Sequence, residues 1–180
     1  LSIEAEALIA VWTDIGRSVA RTGVRKLVVF NSHGGQSSLL DVVARRLRVE
    51  QQMLVARCSY FALGSPPGLF AEDELANGLH GGEVETSLML HLHPSLVRRE
   101  YLQDFLGLPA QMARRNEVLG VELPVGIGWM SQDLAPAGVC GNAARADAKR
   151  GATLVNYLAG KLATLVEELA RMPLETLRPV

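Results

Sequence analysis

Cysteine is scarce in this chain of 180 residues and 19.4 kDa: Cys58 and Cys140 stand far apart and form no CxxC pair. Two thiols so placed exclude a disulfide framework and a cysteine-built structural zinc site. They read as reduced, mostly buried side chains of a cytoplasmic protein. No run of 18 apolar residues occurs, which excludes a membrane-spanning helix and removes the membrane from the expected partners. Neither charge sign dominates, with 18 Lys and Arg against 19 Asp and Glu and a formal net charge of −1. Without a basic stripe, nucleic acid is not an expected partner. The phosphate-loop pattern GxxxxGK[ST] and the dinucleotide fingerprint GxGxxG are both missing. There is no internal repeat, low-complexity tract or domain linker. The chain also lacks an initiator methionine. It opens on Leu1 and runs at once into helical spacing rather than a signal peptide, so a piece upstream is expected to be missing.

What is present is the composition of a globular protein, 48% hydrophobic and 21% charged, in a length that predicts one domain burying about 70% of its unfolded surface. Residues 3–22 place Ile3, Ala7, Leu8, Val11, Trp12, Ile15 and Val19 on one helical stripe, with Ser2 as N-cap and Gly23 as the stop. Residues 26–31 form an apolar run typical of a strand covered on both faces. Residues 38–50 return to helical period behind a cap from Ser37 or Ser38, and 53–60 read as a second strand. Strand, helix and strand make a βαβ unit with a right-handed crossover. A helix over 83–92 follows the loop Gly64–Gly68, residues 95–120 form a surface excursion, and 125–130 a weak strand. Residues 143–171 predict one long amphipathic helix with breaks at Gly151 or Gly160. The fold class is α/β with a mostly parallel sheet.

Two constellations carry the chemistry. Asn31-Ser32-His33-Gly34-Gly35-Gln36 sits where the first strand ends, the edge at which open α/β sheets bind ligands. Its glycines permit a tight turn and let backbone N–H groups approach a ligand. His33 projects beside them, as a ligand or as an ordinary solvent-facing turn residue. The second, His80-Gly81-Gly82-Glu83-Val84-Glu85-Thr86-Ser87, sets three candidate metal ligands within six residues. Helical geometry places Val84, Leu88 and Leu92 on one broad apolar face with Glu85 near its centre and Glu83 well away. A carboxylate facing a core needs a proton, hydrogen bonds or a cation, so geometry favours Glu85 as the ligand. Glu83, in the first turn, has the simpler explanation of favourable contact with the helix dipole. His80 precedes the helix on a loop, available as acid, base or ligand. His91 and His93 read as surface or capping residues.

Taken together, "NSHGGQ" after a strand, "LHGGEVETSLML" further on, and "W…GVCGNAARADAKRG" near the end resemble the creatininase family across nearly the whole chain. Its members include creatinine amidohydrolases, a deformylase of a formylated pyrimidine, and a peptidase that trims the mycofactocin precursor. The resemblance implies a three-layer α/β/α sandwich, a ring-like homo-oligomer (often a hexamer), and two divalent metals, zinc, manganese or iron. By the same resemblance His33 and Glu85 are metal ligands, His80 donates a proton to the leaving nitrogen, and Glu83 joins it in the catalytic set. Gly34, Gly35 and Trp129 border substrate and oxyanion. Whether Glu83 or Glu85 ligates directly stays open, because some members draw this carboxylate from the first motif, where this chain has Gly35. Ser32 stands where glycine is more usual, and Gln36 where asparagine is.

An upstream "E-x-H-G" segment and a metal-bridging aspartate of the family pattern have no counterpart here. Glu4, Glu6 and Asp14 are helix-surface residues that do not fit it. The expectation is therefore a single creatininase-like domain over 1–180 that lacks about 80 N-terminal residues of a domain of about 250. The expected function of the intact protein is metal-dependent hydrolysis of a non-peptide C–N bond in a small or cyclic amide. Peptidase activity of the mycofactocin-maturation type is the alternative, and a non-catalytic member lacking part of the metal site is a third.

Overall fold

The helical period at the start of the chain becomes α1 (Ala5–Arg21), with Glu4 in extended backbone at its N-terminal boundary. Ser2, expected as the cap, lies outside the described residues, which are 3–122 and 124–178 of this computed structural model. Gly23 adopts φ +92° just past the helix and stops it as expected. The chain divides into two compact units, Leu1–Gly64 with Leu158–Val180, and Ser65–Tyr157. Among the described residues no helix is long and apolar enough to cross a membrane.

In the first unit α1 leads to β1 (Lys26–Asn31), α2 (Ser37–Gln51) and β2 (Leu54–Ser59). The strands pair in parallel from Lys26 opposite Leu54 to Asn31 opposite Ser59, so α2 is the crossover that parallel neighbours need. No side chain caps α2: Ser37 is already inside the helix, and its hydroxyl turns to Ser59 and Asn31 instead. The core consists of Ala20, Val43, Leu47 and Met53, with Ile9, Trp12, Val19, Leu27 and Val55 packed around them. Burying a side chain such as Leu47 contributes about 1.5–3 kcal/mol. The buried face of α1 is only partly the predicted stripe, from which Trp12 and Val19 reach the core. Val11 and Ile15 are about half exposed, and Thr13, Gly16 and Ala20 turn inward. Small residues win because α2 comes close: a Cβ on Gly16 would overlap the Leu47 methyl groups.

The second unit contains α3 (Glu72–Asn77), α4 (Glu83–Leu92), β3 (Asp104–Phe105), α5 (Leu108–Arg115), α6 (Ser131–Leu134), β4 (Gly141–Asn142) and the start of α7 (Ala148–Arg171). β3 and β4 pair antiparallel, Asp104 opposite Asn142 and Phe105 opposite Gly141. Residues 95–120, expected as a surface excursion, thus include a strand and a helix. Residues 125–130 form no strand. Their chain folds back locally, with the Gly120 N–H donating to the Val125 carbonyl at 2.9 Å. The long C-terminal helix starts at Ala148 rather than 143, because Asp147 is its cap: the carboxylate accepts from the Arg150 N–H at 2.8 Å and the carbonyl from the Gly151 N–H at 3.0 Å. It passes Gly151 and Gly160 unbroken.

Helix α4 corrects the expectation about its carboxylates. Its buried residues are Glu83, Thr86, Ser87 and Leu90, and the Glu83 side chain is 0% exposed. The inward face is offset by one residue, about 100°, from the apolar face expected through Val84, Leu88 and Leu92. What selects it is satisfaction of polar groups. The Ser87 hydroxyl donates to the Glu83 carbonyl at 2.6 Å and accepts from the Asp147 N–H at 3.0 Å. Arg150 meets Glu83 Oε1, donates to the Leu69 carbonyl, and stands 5.3 Å over the Phe70 ring. Glu83 Oε2 has no hydrogen-bond partner among the described residues and lies 3.9 Å from Arg145 Nε. Glu83 is an inward ion-pair anchor, not an exposed first-turn residue, and Glu85 faces outward rather than into the core.

Two stability outcomes follow from this packing. Gly151→Ala should cost about 1–3 kcal/mol despite alanine's higher helix propensity, since the new Cβ would overlap the Ser87 carbonyl. Gly160→Ala, in open space on the same helix, should gain about 0.5–1 kcal/mol; urea unfolding of both variants that gave shifts of one sign would contradict the packing. Arg150→Met should cost about 3–5 kcal/mol by stranding the Glu83 carboxylate, and Glu83→Met added to it should recover part of that loss. Equal midpoints for the single and double variants would show that Arg150 does not act through Glu83.

Candidate functional site

The residues expected to act as acid, base or ligand lie mainly on two turns, one in each unit. In the first, β1 ends at the buried Asn31, His33 follows in extended backbone, and Gly34–Gln36 make a single 3-10 turn before α2. The Asn31 amide organises this turn. Its nitrogen donates to the His33 carbonyl at 2.6 Å and to Ser59 Oγ at 3.0 Å, while its oxygen accepts the His33 N–H at 3.3 Å and Gln36 Nε2 at 3.0 Å. Gln36 Oε1 stands 2.8 Å from His33 Nδ1. His33 is exposed, with its Nε2 edge carrying no protein hydrogen bond among the described residues. Gly34 is exposed and open around its Cα, and a Cβ on Gly35 would come within 3.1 Å of His33 Cε1. Position 35 therefore adjoins the imidazole, and a glycine there leaves the ring uncrowded.

The second turn is built from the HGGE segment and is held by residues from both sides of it in sequence. His80 forms an antiparallel bridge with Cys140, N–H to carbonyl at 3.3 Å one way and 2.7 Å the other. Glu74, buried at 8% exposure, accepts the Glu83 N–H at 2.6 Å and the Asn142 N–H at 2.8 Å. Its carboxylate fills the space where Cβ atoms on Gly78, Gly82 and Gly141 would otherwise stand. Glu85, with 38% of its side chain exposed, folds back so that Oε2 accepts the Gly81 N–H at 2.6 Å. That oxygen lies 3.7 Å from His80 Nδ1, beyond a hydrogen bond yet close enough for an ion pair when the ring is protonated. His80 itself is exposed. An exposed imidazole beside an outward carboxylate can pass a proton to a substrate and hold the resulting charge balance.

Of the remaining expected site residues, Glu83 is closed off from solvent in its pair with Arg150. Trp129 is half-buried against Val121, Leu134 and Cys140, and its indole N–H donates to Glu122 Oε1 at 3.0 Å. His91 and His93 are exposed at the end of α4. Burial pushes the Cys140 and Cys58 thiols above their ordinary range, away from the thiolate form that a nucleophile needs. Glu74, Gln36 and Arg150 were not singled out by spacing. Only the third motif, which supplies Cys140, Asn142, Arg145, Asp147, Arg150 and Gly151, signalled that its residues belong with the HGGE turn.

The donor chemistry suits a divalent metal in kind: an imidazole nitrogen at His33 and a carboxylate at Glu85 are groups zinc and manganese accept. No group of three or more His, Cys, Asp or Glu placed to hold a metal ion occurs among the described residues. The described residues thus offer single donors rather than a closed set.

Comparison with known proteins agrees with these motifs. The family model described as creatinine amidohydrolase matches residues 1–166. A creatinine amidohydrolase of Pseudomonas putida is 35% identical over 114 residues, covering 57% of this chain and 44% of that protein. A mycofactocin precursor peptide peptidase of Mycobacterium ulcerans (strain Agy99) is 33% identical over 133 residues, 71% of this chain and 46% of the relative. The chain spans less than half the length of these two relatives. Among solved structures, a protein of Bacteroides fragilis NCTC 9343 assigned as a creatinine amidohydrolase superposes with a TM-score of 0.77 at 28% identity, over 96% of this chain and 65% of that one. A Zn–Zn creatininase variant and a manganese creatininase give 0.70 and 0.69, each at 25% identity and over 93% of this chain and 65% of theirs. The parallel β1–α2–β2 unit is accordingly part of the α/β creatininase fold. With the family model matched over most of its length, the chain belongs to the creatininase family of hydrolases.

Proposed function

We propose that the full-length protein is a metal-dependent amidohydrolase that cleaves a non-peptide C–N bond in a small or cyclic amide. The observation that carries this reading is the exposed His80 imidazole 3.7 Å from the outward Glu85 carboxylate, on a loop pinned by the Cys140 bridge. His33 and Glu85 are each proposed as a ligand for divalent metal, zinc or manganese by kinship with the matched structures. When bound, such ions polarise an amide carbonyl and activate water. His80 delivers the proton that the departing nitrogen needs, and Glu85 stabilises the charged ring before it does so. Gly34 and Gly35 leave backbone N–H groups near His33 for an oxyanion, and Trp129 is assigned to the substrate's apolar side. Glu83 is assigned to holding α4 in place. A homo-oligomer, hexameric by family kinship, acting in the cytoplasm completes the proposal; the two free, buried thiols suit that compartment.

Peptide cleavage is the second reading, favoured by the longer match to the mycofactocin peptidase. Incubating the full-length protein with a creatinine-type cyclic amide and with a short peptide separates the two, by which substrate is consumed. Chelation should abolish turnover. His33→Ala should lower metal content, and unchanged stoichiometry would overturn its assignment. His80→Ala should slow turnover by about 10²–10⁴-fold with metal content unchanged.

A further inference from the structure

Histidine's two ring nitrogens are not equivalent, and the one that binds a ligand is set by what holds the other. The turn after β1 contains a chain of amide contacts whose directions can be worked out from its fixed end. At that end the His33 main chain leaves Asn31 no choice. A backbone N–H only donates and a backbone carbonyl only accepts. Asn31 Oδ1 must therefore face the His33 N–H at 3.3 Å, and Asn31 Nδ2 the His33 carbonyl at 2.6 Å. With Oδ1 so placed, the group of Gln36 that meets it at 3.0 Å must be the donor Nε2, since two amide oxygens would repel. Gln36 Oε1 is then turned to His33 Nδ1 at 2.8 Å, and an amide oxygen can only accept. The proton sits on Nδ1, and the lone pair is left on Nε2.

We infer that Asn31 and Gln36 form a positioning relay that holds neutral His33 as its Nδ1–H tautomer, presenting Nε2 as the sole lone pair for a ligand. Free histidine in water favours the opposite tautomer, so the relay changes the state of the ring rather than recording it. Several features make the relay rigid. Asn31 is 5% exposed, and its nitrogen is tied further to Ser59 Oγ on the neighbouring strand and to Ser37 Oγ at the start of α2. Gln36, the residue standing where asparagine is more usual, touches Asn31 with one amide atom and the ring with the other. Gly35 leaves the ring room to lie against it. The inference deepens the reading of His33 as a metal ligand and rests on it for its functional meaning, but the tautomer can be measured without any metal.

The test uses the full-length protein, stripped of metal by chelation and ¹⁵N-labelled on histidine, at about pH 8, where an ordinary imidazole is neutral. Long-range ¹H–¹⁵N spectra report which ring nitrogen carries the proton, and His33→Ala identifies the His33 signals. Wild-type His33 should be protonated at Nδ1; a ring protonated at Nε2 overturns the relay with no variant needed. Gln36→Leu, which removes the acceptor, should shift the ring to Nε2–H. Gln36→Glu, which keeps an acceptor toward the ring while giving up the donor toward Asn31, should retain Nδ1–H. A Gln36→Leu protein that folds and still shows Nδ1–H overturns the inference as well. Zinc affinity by chelator competition should fall about 10–100-fold in Gln36→Leu and recover in Gln36→Glu. If the tautomers behave as stated while His33→Ala binds zinc as tightly as wild type, the relay stands and the ligand role proposed for His33 falls.

Discussion

A carboxylate removed from water has to be paired, and in the Ser65–Tyr157 unit the pairing of Glu83 determines much of the rest. With its side chain wholly buried, Glu83 requires Arg150, so α7 must begin early enough to bring Arg150 to it. Asp147 caps α7 at that point, and its N–H is bound by Ser87 one turn along α4 from Glu83. Gly151 then lies against the Ser87 carbonyl where no side chain fits. Leaving Glu83 unpaired would cost several kcal/mol, which is why the third motif packs on the second in one way. The exposed pair His80 and Glu85 is placed as a result, on the outer side of the helix that Glu83 anchors.

The sequence was a good guide where periodicity is set by backbone and length. β1, α2, β2 and α4 lie within a residue or so of their expected bounds, and both chemical turns fall where strand ends and glycines put them. It misled where the orientation of a helix is set by contacts rather than by apolar spacing. In α1 the inward residues are the small Gly16 and Ala20, because α2 needs close approach. In α4 they are Glu83, Thr86 and Ser87, because arginine, serine and main-chain partners lie on that side. An apolar period reports which face could be buried for free, not which face has partners for its polar groups. Those partners are dozens of residues away, so the interchange of Glu83 and Glu85 between core and surface was not legible locally. Gln36 was visible as an oddity, but its meaning depends on Asn31 and on the direction of two amides.

The two turns support chemistry by different means. At His33 a buried amide fixes the ring from behind through side chains, so composition at positions 31 and 36 matters directly. At His80 the support is main-chain: Cys140 contributes its N–H and carbonyl, and Glu85 holds the Gly81 N–H. The proton transfer proposed for His80 would therefore depend on the Glu85 carboxylate directly, and on Cys140 only through its main chain. Cys140 matters there as a buried volume at the right place in a bridge, with burial pushing its thiol up.

Glu74 illustrates how such support constrains descent. Its carboxylate occupies the volume that side chains on Gly78, Gly82 and Gly141 would claim, while it ties together the start of α4 and strand β4. Four positions spread over nearly seventy residues are thereby one unit of inheritance. A lineage that keeps the acid is compelled to keep three glycines, and losing it would not free them all, since Gly141 has φ +127° and main-chain atoms also crowd all three positions. Covariation among these positions should mark the boundary between members that keep this turn geometry and members that have rebuilt it.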